Sequence, residues 1–211
     1  MLIEAAKRGD LAEVRRILAD DPEAVTHVSE GGETALMAAL YRGHAAVVAA
    51  LRDAGAPMDV FSAAATGTLE VLDREIDRAA TVNGYSYDGW TPLHLASFFD
   101  RHDAAERLLN AGADPRAVSR NSIRNTPLHA ALAGSHTDVA LLLIGRGADV
   151  NAPDAGRHTP LHIAAENGLV DAVRALLEAG ADAHVVDAED NTPLSRAAAK
   201  NRTDVVDLLN S

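Results

Sequence analysis

Histidine gives this 211-residue sequence its widest chemical reach, since imidazole ligates metals and moves protons near neutral pH, and nine are present. His94, His129 and His162 each close a Thr-Pro-Leu-His tetrapeptide. Catalytic groups are rarely periodic, so these three read as hydrogen-bonding residues that tie successive turns of structure together. His158 and His162 have the i, i+4 spacing of a zinc-binding helix face. Thr159-Pro160 start a helix between them, which leaves His158 off that face, and no His-Glu-x-x-His occurs. The absence of Cys removes disulfides, thiol catalysis and Cys-ligated metal centres. Gly145-Arg146-Gly147 lacks the third glycine and preceding strand of a phosphate cradle, and there is no P-loop or Gly-x-Ser-x-Gly. Asp20-Asp21 and Asp187, Glu189 and Asp190 fall at expected helix ends and turns, where solvated charge is the default. No catalytic residue, metal ligand or cofactor is assigned.

The elements that must position these groups are repeats. Thr91, Thr126, Thr159 and Thr192 open Thr-Pro-Leu-His or Thr-Pro-Leu-Ser and stand 35, 33 and 33 residues apart. Gly-Ala-Asp recurs in phase at Gly112, Gly147 and Gly180, with a variant at Gly55-Ala56-Pro57. Thr suits an N-cap and Pro the first helical position, so each unit opens with a short, small-faced helix such as Leu161-His162-Ile163-Ala164-Ala165. A break near Gly168 leads to a second, amphipathic helix with Val170, Val173, Leu176 and Leu177 on one face, stopping at Gly180. Neither helix is stable alone, and stacking on neighbours must supply the burial.

These residues resemble the ankyrin repeat family, whose period is 33 and whose signature is Thr-Pro-Leu-His-x-Ala. The likeness runs from Ala5 to Leu209. It implies an all-α solenoid of about six helix–turn–helix units, β-hairpin fingers beside a concave face, and a role in protein–protein recognition. The units divide as an N-terminal cap over 1–33, repeats over 34–57, 58–90, 91–125, 126–158 and 159–191, and a C-terminal cap over 192–211. Only three positions separate Gly55 from Met58, against twelve between Gly147 and Thr159, so one finger is missing near residues 55–61. The second-helix layer is expected to continue across that gap. The interval from Gly112 to Thr126 is fourteen, which puts two extra residues in a later finger.

Of seven aromatic residues, five fall between Tyr85 and Phe99. The family register puts Tyr87 and Trp90 in a finger and Phe98 and Phe99 at the end of a first helix, with Tyr41 equivalent to Phe98. Positions of that kind contact partners in ankyrin repeats. The implied binding set is Tyr41, Tyr87, Asp88, Trp90, Phe98 and Phe99, extended by Ile123, Asn125 and His158. The alternative is that these rings fold over the gap left by the missing finger.

Nineteen basic against 31 acidic residues leave a net charge of −12, which disfavours nucleic acid and anionic membranes and favours a partner with a basic surface. The start lacks a signal-like apolar stretch, so a cytoplasmic monomer is expected, with self-association through the aromatic patch left open. The functional expectation is a non-catalytic interaction module. Small-molecule or modified-lysine binding, or an enzyme site hidden in the groove, stands as the alternative.

Overall fold

A computed structural model describes residues 1–78 and 81–210. Within them the chain forms fourteen α-helices in seven antiparallel pairs. The first helices are α1 (Leu2–Arg8), α3 (Ala35–Tyr41), α5 (Val60–Thr66), α7 (Pro92–Phe98), α9 (Pro127–Ala133), α11 (Pro160–Asn167) and α13 (Pro193–Ala199). The second helices are α2 (Leu11–Asp20), α4 (Ala45–Asp53), α6 (Leu69–Asp77), α8 (His102–Asn110), α10 (Thr137–Gly145), α12 (Val170–Glu178) and α14 (Thr203–Leu209). None exceeds ten residues, so each depends on its neighbours for stability.

The Thr-Pro motif does what its chemistry predicts. Thr91 and Thr192 hold β-region backbone, and their hydroxyls accept from the N–H groups of His94 and Ser195 at 3.3 and 3.2 Å. Unit three keeps the cap without the motif. Asp59 accepts from Ser62 N–H at 2.8 Å, and Ser62 Oγ accepts from Asp59 N–H at 2.9 Å. The leucine after each Pro turns inward, and Leu93, Leu128 and Leu161 are fully buried, each contributing roughly 1.5–3 kcal/mol.

The fingers are tight turns rather than β-hairpins. Short backbone bonds close them: Ser119 N–H to Asn125 C=O at 2.8 Å in one, and Asp154 N–H to His158 C=O at 2.9 Å with Arg157 N–H to Asp154 C=O at 3.0 Å in another. Among the described residues one isolated bridge, Val28 with Thr34, is the only β pairing. With five to seven residues per turn, no length remains for a ladder. Neighbouring fingers are instead linked by one backbone bond each: Arg120 N–H to Gly89 C=O, Ala155 N–H to Ile123 C=O and Ala188 N–H to Gly156 C=O, at 2.8–2.9 Å.

Residues 54–59 run straight from α4 to α5 without a finger. Contrary to expectation, the second-helix layer is interrupted here. The core divides into one cluster from Leu2 to Leu51, with Ala56 and Met58 packed on it, and another from Val60 to Val205. The reason lies in the loops. Elsewhere the residues leading into a finger, Ala113 and Val150, are buried in the core between successive units, whereas their register equivalents in the link, Ala56 and Met58, pack against the first cluster alone.

Candidate functional site

A third apolar cluster spans this division. Met37 of α3, Ala65 of α5, Trp90, Leu95 of α7 and Ala130 of α9 are buried together, with Leu40, Tyr41, Phe61, Phe98 and Phe99 packed against them. The rings meet edge-on or tilted. Centroids lie 5.1 Å apart for Trp90–Phe98 and Phe98–Phe99, 5.4 Å for Tyr41–Phe99 and 6.3 Å for Tyr41–Trp90. These are favourable quadrupolar arrangements. The rings pack against one another.

The cluster has a buried base and an accessible rim. Trp90 is 8% exposed and stacks on His94 at 5.9 Å. It is therefore buried core rather than accessible surface. Tyr41, Phe98 and Phe99 are half-buried, while Tyr87 is 40% exposed. The Tyr87 side chain lies against Gly32, so the finger that leads into unit four touches the finger that leads into unit two. Asp88 accepts hydrogen bonds from the hydroxyls of Tyr41 and Ser86. Burial, and then the adjacent Asp88 carboxylate, push the Tyr41 phenol well above its ordinary range. The hydroxyl is thus a fixed donor.

Beside the rings, the missing finger leaves a cleft of about 420 Å³, walled by Val28, Met37, Met58, Phe61, Tyr85 and Tyr87. Its two carboxylates are already engaged, Asp59 as the cap of α5 and Glu75 with Arg78 at 3.3 Å. Among the described residues, no further carboxylate and no imidazole lines it.

The extended footprint is divided. Ile123 is 51% exposed, whereas Asn125 is buried at 8% and its main-chain carbonyl accepts from His94 Nε2–H at 3.1 Å. His158 is half-buried beneath a charged network. Its Nδ1–H donates to Asp154 at 3.1 Å, and its Nε2 accepts from Arg196 at 2.9 Å. Arg196 also donates to the buried Asp187 at 2.5 Å and to Glu166 at 3.1 Å. Burial pushes the Asp187 carboxyl up, but bonds from Asn191 N–H, Arg196 and Glu189 N–H outweigh it and hold the group well below the usual carboxylate range.

The three periodic histidines lie one layer beneath this surface. Each Nδ1 accepts from its own capping threonine, at 2.8–2.9 Å, and each Nε2–H donates to a main-chain carbonyl of the next finger. The acceptors are Asn125, His158 and Asn191, at 3.0–3.1 Å. The His158 and His162 rings approach to 6.3 Å, but all four nitrogens are occupied. Among the described residues, no three His, Asp or Glu side chains converge as metal ligands, and no helix is long and apolar enough to cross a membrane.

Periodic caps, a helix-pair stack and histidine ties agree with comparison to known proteins. A family model described as ankyrin repeats (3 copies) matches residues 60–154 and 153–211, and an ankyrin repeat model matches 31–62. The chain belongs to the ankyrin repeat family. A relative, ankyrin repeat domain-containing protein SAT10 of Stachybotrys chartarum, is 33% identical over 156 residues, covering 72% of this chain and 8% of that protein. Neurogenic locus notch homolog protein 4 of Homo sapiens is 52% identical over 56 residues, 26% of this chain and 3% of its own. Ankyrin repeat and SOCS box protein 5 of Oryctolagus cuniculus is 38% identical over 96 residues, 46% and 28% respectively. The ankyrin stack therefore spans under a tenth of the first two relatives. Ankyrin repeats are, in general, protein–protein interaction modules.

Two features of this ankyrin site escaped the sequence reading. Met37 stands where the motif has His, and that exchange was the available signal that an apolar joint replaces a polar tie. The Arg196 network joins groups up to 38 residues apart, and no local spacing announces it.

Proposed function

We propose that the chain is a non-catalytic protein-binding module whose concave face takes a segment carrying Arg or Lys across Tyr41, Tyr87, Phe98 and Phe99. Trp90 and Asn125 act beneath this surface as support, while Ile123 and His158 extend it. The observation that carries the reading is the half-buried ring surface set beside the carboxylates of Asp88 and Asp100. Asp88 lies at its centre, and the Asp100 side chain is 58% exposed. Arg101 is turned away, its Nε–H donating to Ala65 C=O at 3.1 Å. Aromatic faces beside carboxylates favour Arg or Lys, each cation–π contact contributing about 0.5–2 kcal/mol.

The test is selection of displayed random peptides on the wild type, with counter-selection on a Phe98→Ala, Phe99→Ala variant. Retained sequences should be enriched in Arg or Lys beside an apolar residue and should bind the variant about tenfold or more weakly. Retained sequences that are acidic, or the absence of any variant-sensitive binder, would overturn the reading.

A further inference from the structure

The finger tips present a second surface of opposite charge. The residue before the last in successive fingers lies in the left-handed region: Gly32 at φ +88°, Gly89 at +80°, Arg124 at +53°, Arg157 at +60° and Asp190 at +61°. Glycine adopts this backbone freely and Asp tolerates it, but a long side chain with a Cβ is disfavoured there. Two consecutive tips nonetheless carry Arg. Both arginines are exposed, and neither makes an ion pair or side-chain hydrogen bond among the described residues. No local contact therefore accounts for the residue type.

The surroundings concentrate the charge. Ala155 N–H donates to Ile123 C=O at 2.8 Å and holds the two fingers side by side. Arg120, also exposed, lies in the same finger with its guanidinium 3.9 Å from the Tyr85 ring centroid. This finger is the one lengthened by two residues, and it carries the half-exposed Ile123. Asp154, the carboxylate within the strip, is engaged by His158 at 3.1 Å, and Asp190 on the next tip ends the run. In a chain of net charge −12, three guanidinium groups without carboxylate partners on adjacent fingers are a local inversion of sign.

We propose that Arg120, Arg124 and Arg157 dock an acidic protein segment, Asp- and Glu-rich with one apolar residue set against Ile123. Guanidinium groups match carboxylates in a two-pronged geometry, and strained backbone at a surface site marks function rather than stability. The remaining negative charge of the molecule repels a long uniform polyanion, which separates a short carboxylate segment from a nucleic acid. This surface shares Ile123 with the edge of the aromatic groove, but its charged contacts, Arg120, Arg124 and Arg157, lie outside the rings and do not depend on them.

Fluorescence anisotropy with a labelled peptide of about twelve residues, Glu and Asp with one Leu, tests the assignment against its Gln/Asn counterpart. The acidic peptide should bind and weaken several-fold between about 50 and about 200 mM salt. An Arg124→Gly, Arg157→Gly variant should bind it about tenfold or more weakly with Tm unchanged or raised, because glycine suits the left-handed backbone. Phe98→Ala, Phe99→Ala should leave acidic-peptide binding intact, so failure of the groove reading does not carry over. Equal binding of the neutral peptide, wild-type affinity in the glycine variant, a lowered Tm in that variant, or displacement of the peptide by a single-stranded oligonucleotide at equal charge concentration would each overturn the proposal.

Discussion

The joints between units four to seven and the joint between units two and three solve one problem by different physics. In the C-terminal block, a histidine from each first helix spans to the next finger, and its Nε2–H meets a main-chain carbonyl at 3.0–3.1 Å. Between α3 and α5 there is no finger, and hence no carbonyl. A histidine there would bury an N–H without an acceptor, at a cost of about 1–3 kcal/mol. The chain places Met37 at that position and closes the joint with rings: Tyr41 from one side, Trp90, Phe98 and Phe99 from the other. A polar tie is only as available as its partner, and apolar packing takes over where the partner is deleted.

Removing the central ring should break this contrast most severely. Trp90→Ala deletes a buried side chain touching both halves, and large aromatic truncations cost about 3–5 kcal/mol. The first four helices lack enough stacked partners to persist alone. Hydrogen exchange should therefore show protection lost first from α1 to α4 while α9 to α14 keep theirs, and urea unfolding should split into two transitions. A single transition with uniform loss would place the Trp90 energy within the C-terminal block alone.

Acid should act on the other kind of joint. Burial lowers the His94 pKa to about 4, and burial likewise depresses His129 and His162. The unfolded chain binds these protons near the ordinary value of about 6.5. Stability from the neutral imidazoles is therefore complete above that value and is lost as pH falls through the window toward 4. His94 alone should account for about 2–3 kcal/mol between pH 7 and pH 4.5. Urea melts at the two pH values check the magnitude, and exchange should locate the loss around α7 to α13. His94→Gln should flatten the pH slope, and an unchanged slope in that variant would assign the acid sensitivity to the other buried histidines or to carboxylates.

The regular part of this molecule was legible because it is local. Thr, Pro, Leu and His at fixed offsets specify cap, helix start, core residue and tie, and the same residues perform those roles in three dimensions. The missing finger was legible as well, since it is a count of positions between Gly55 and Met58. Its consequence for packing was not. That the core divides, that Trp90 lies beneath the surface while Tyr87 remains 40% exposed, and that Tyr87 meets Gly32 all depend on contacts across a gap. Hydrophobic periodicity specifies which face is buried but not which neighbour buries it. The aromatic clustering identified the right region, but it could not rank its members by exposure.

One further difference between the two kinds of joint is small and can be engineered. At most joints, the residue opening the second helix reaches back to the preceding first helix. His44 contacts Lys7 C=O, Arg101 donates to Ala65 C=O, His136 contacts Phe98 C=O and Arg202 donates to Glu166 C=O, all at 3.0–3.1 Å. Three of these side chains pass over a glycine, Gly9, Gly67 or Gly168, within 2.6–2.8 Å of where its Cβ would stand. Unit three has Thr68 at this position, and its hydroxyl is turned to Thr66 at 2.8 Å. The space over the equivalent Gly43 is open to at least 4 Å. Thr68→Arg should thread that space and donate to the carbonyl of Tyr41, the register equivalent of Lys7 and Ala65. One added hydrogen bond at a partly solvated helix end stabilises by about 0.5–1 kcal/mol, read as a modest rise in Tm. The gain should be larger in a Trp90→Ala background, where α3 and α5 have lost their main contact. A gain of equal size in both backgrounds would mean that arginine acts only through its helix end, and no gain in either would show that the two helices stack out of register at this joint.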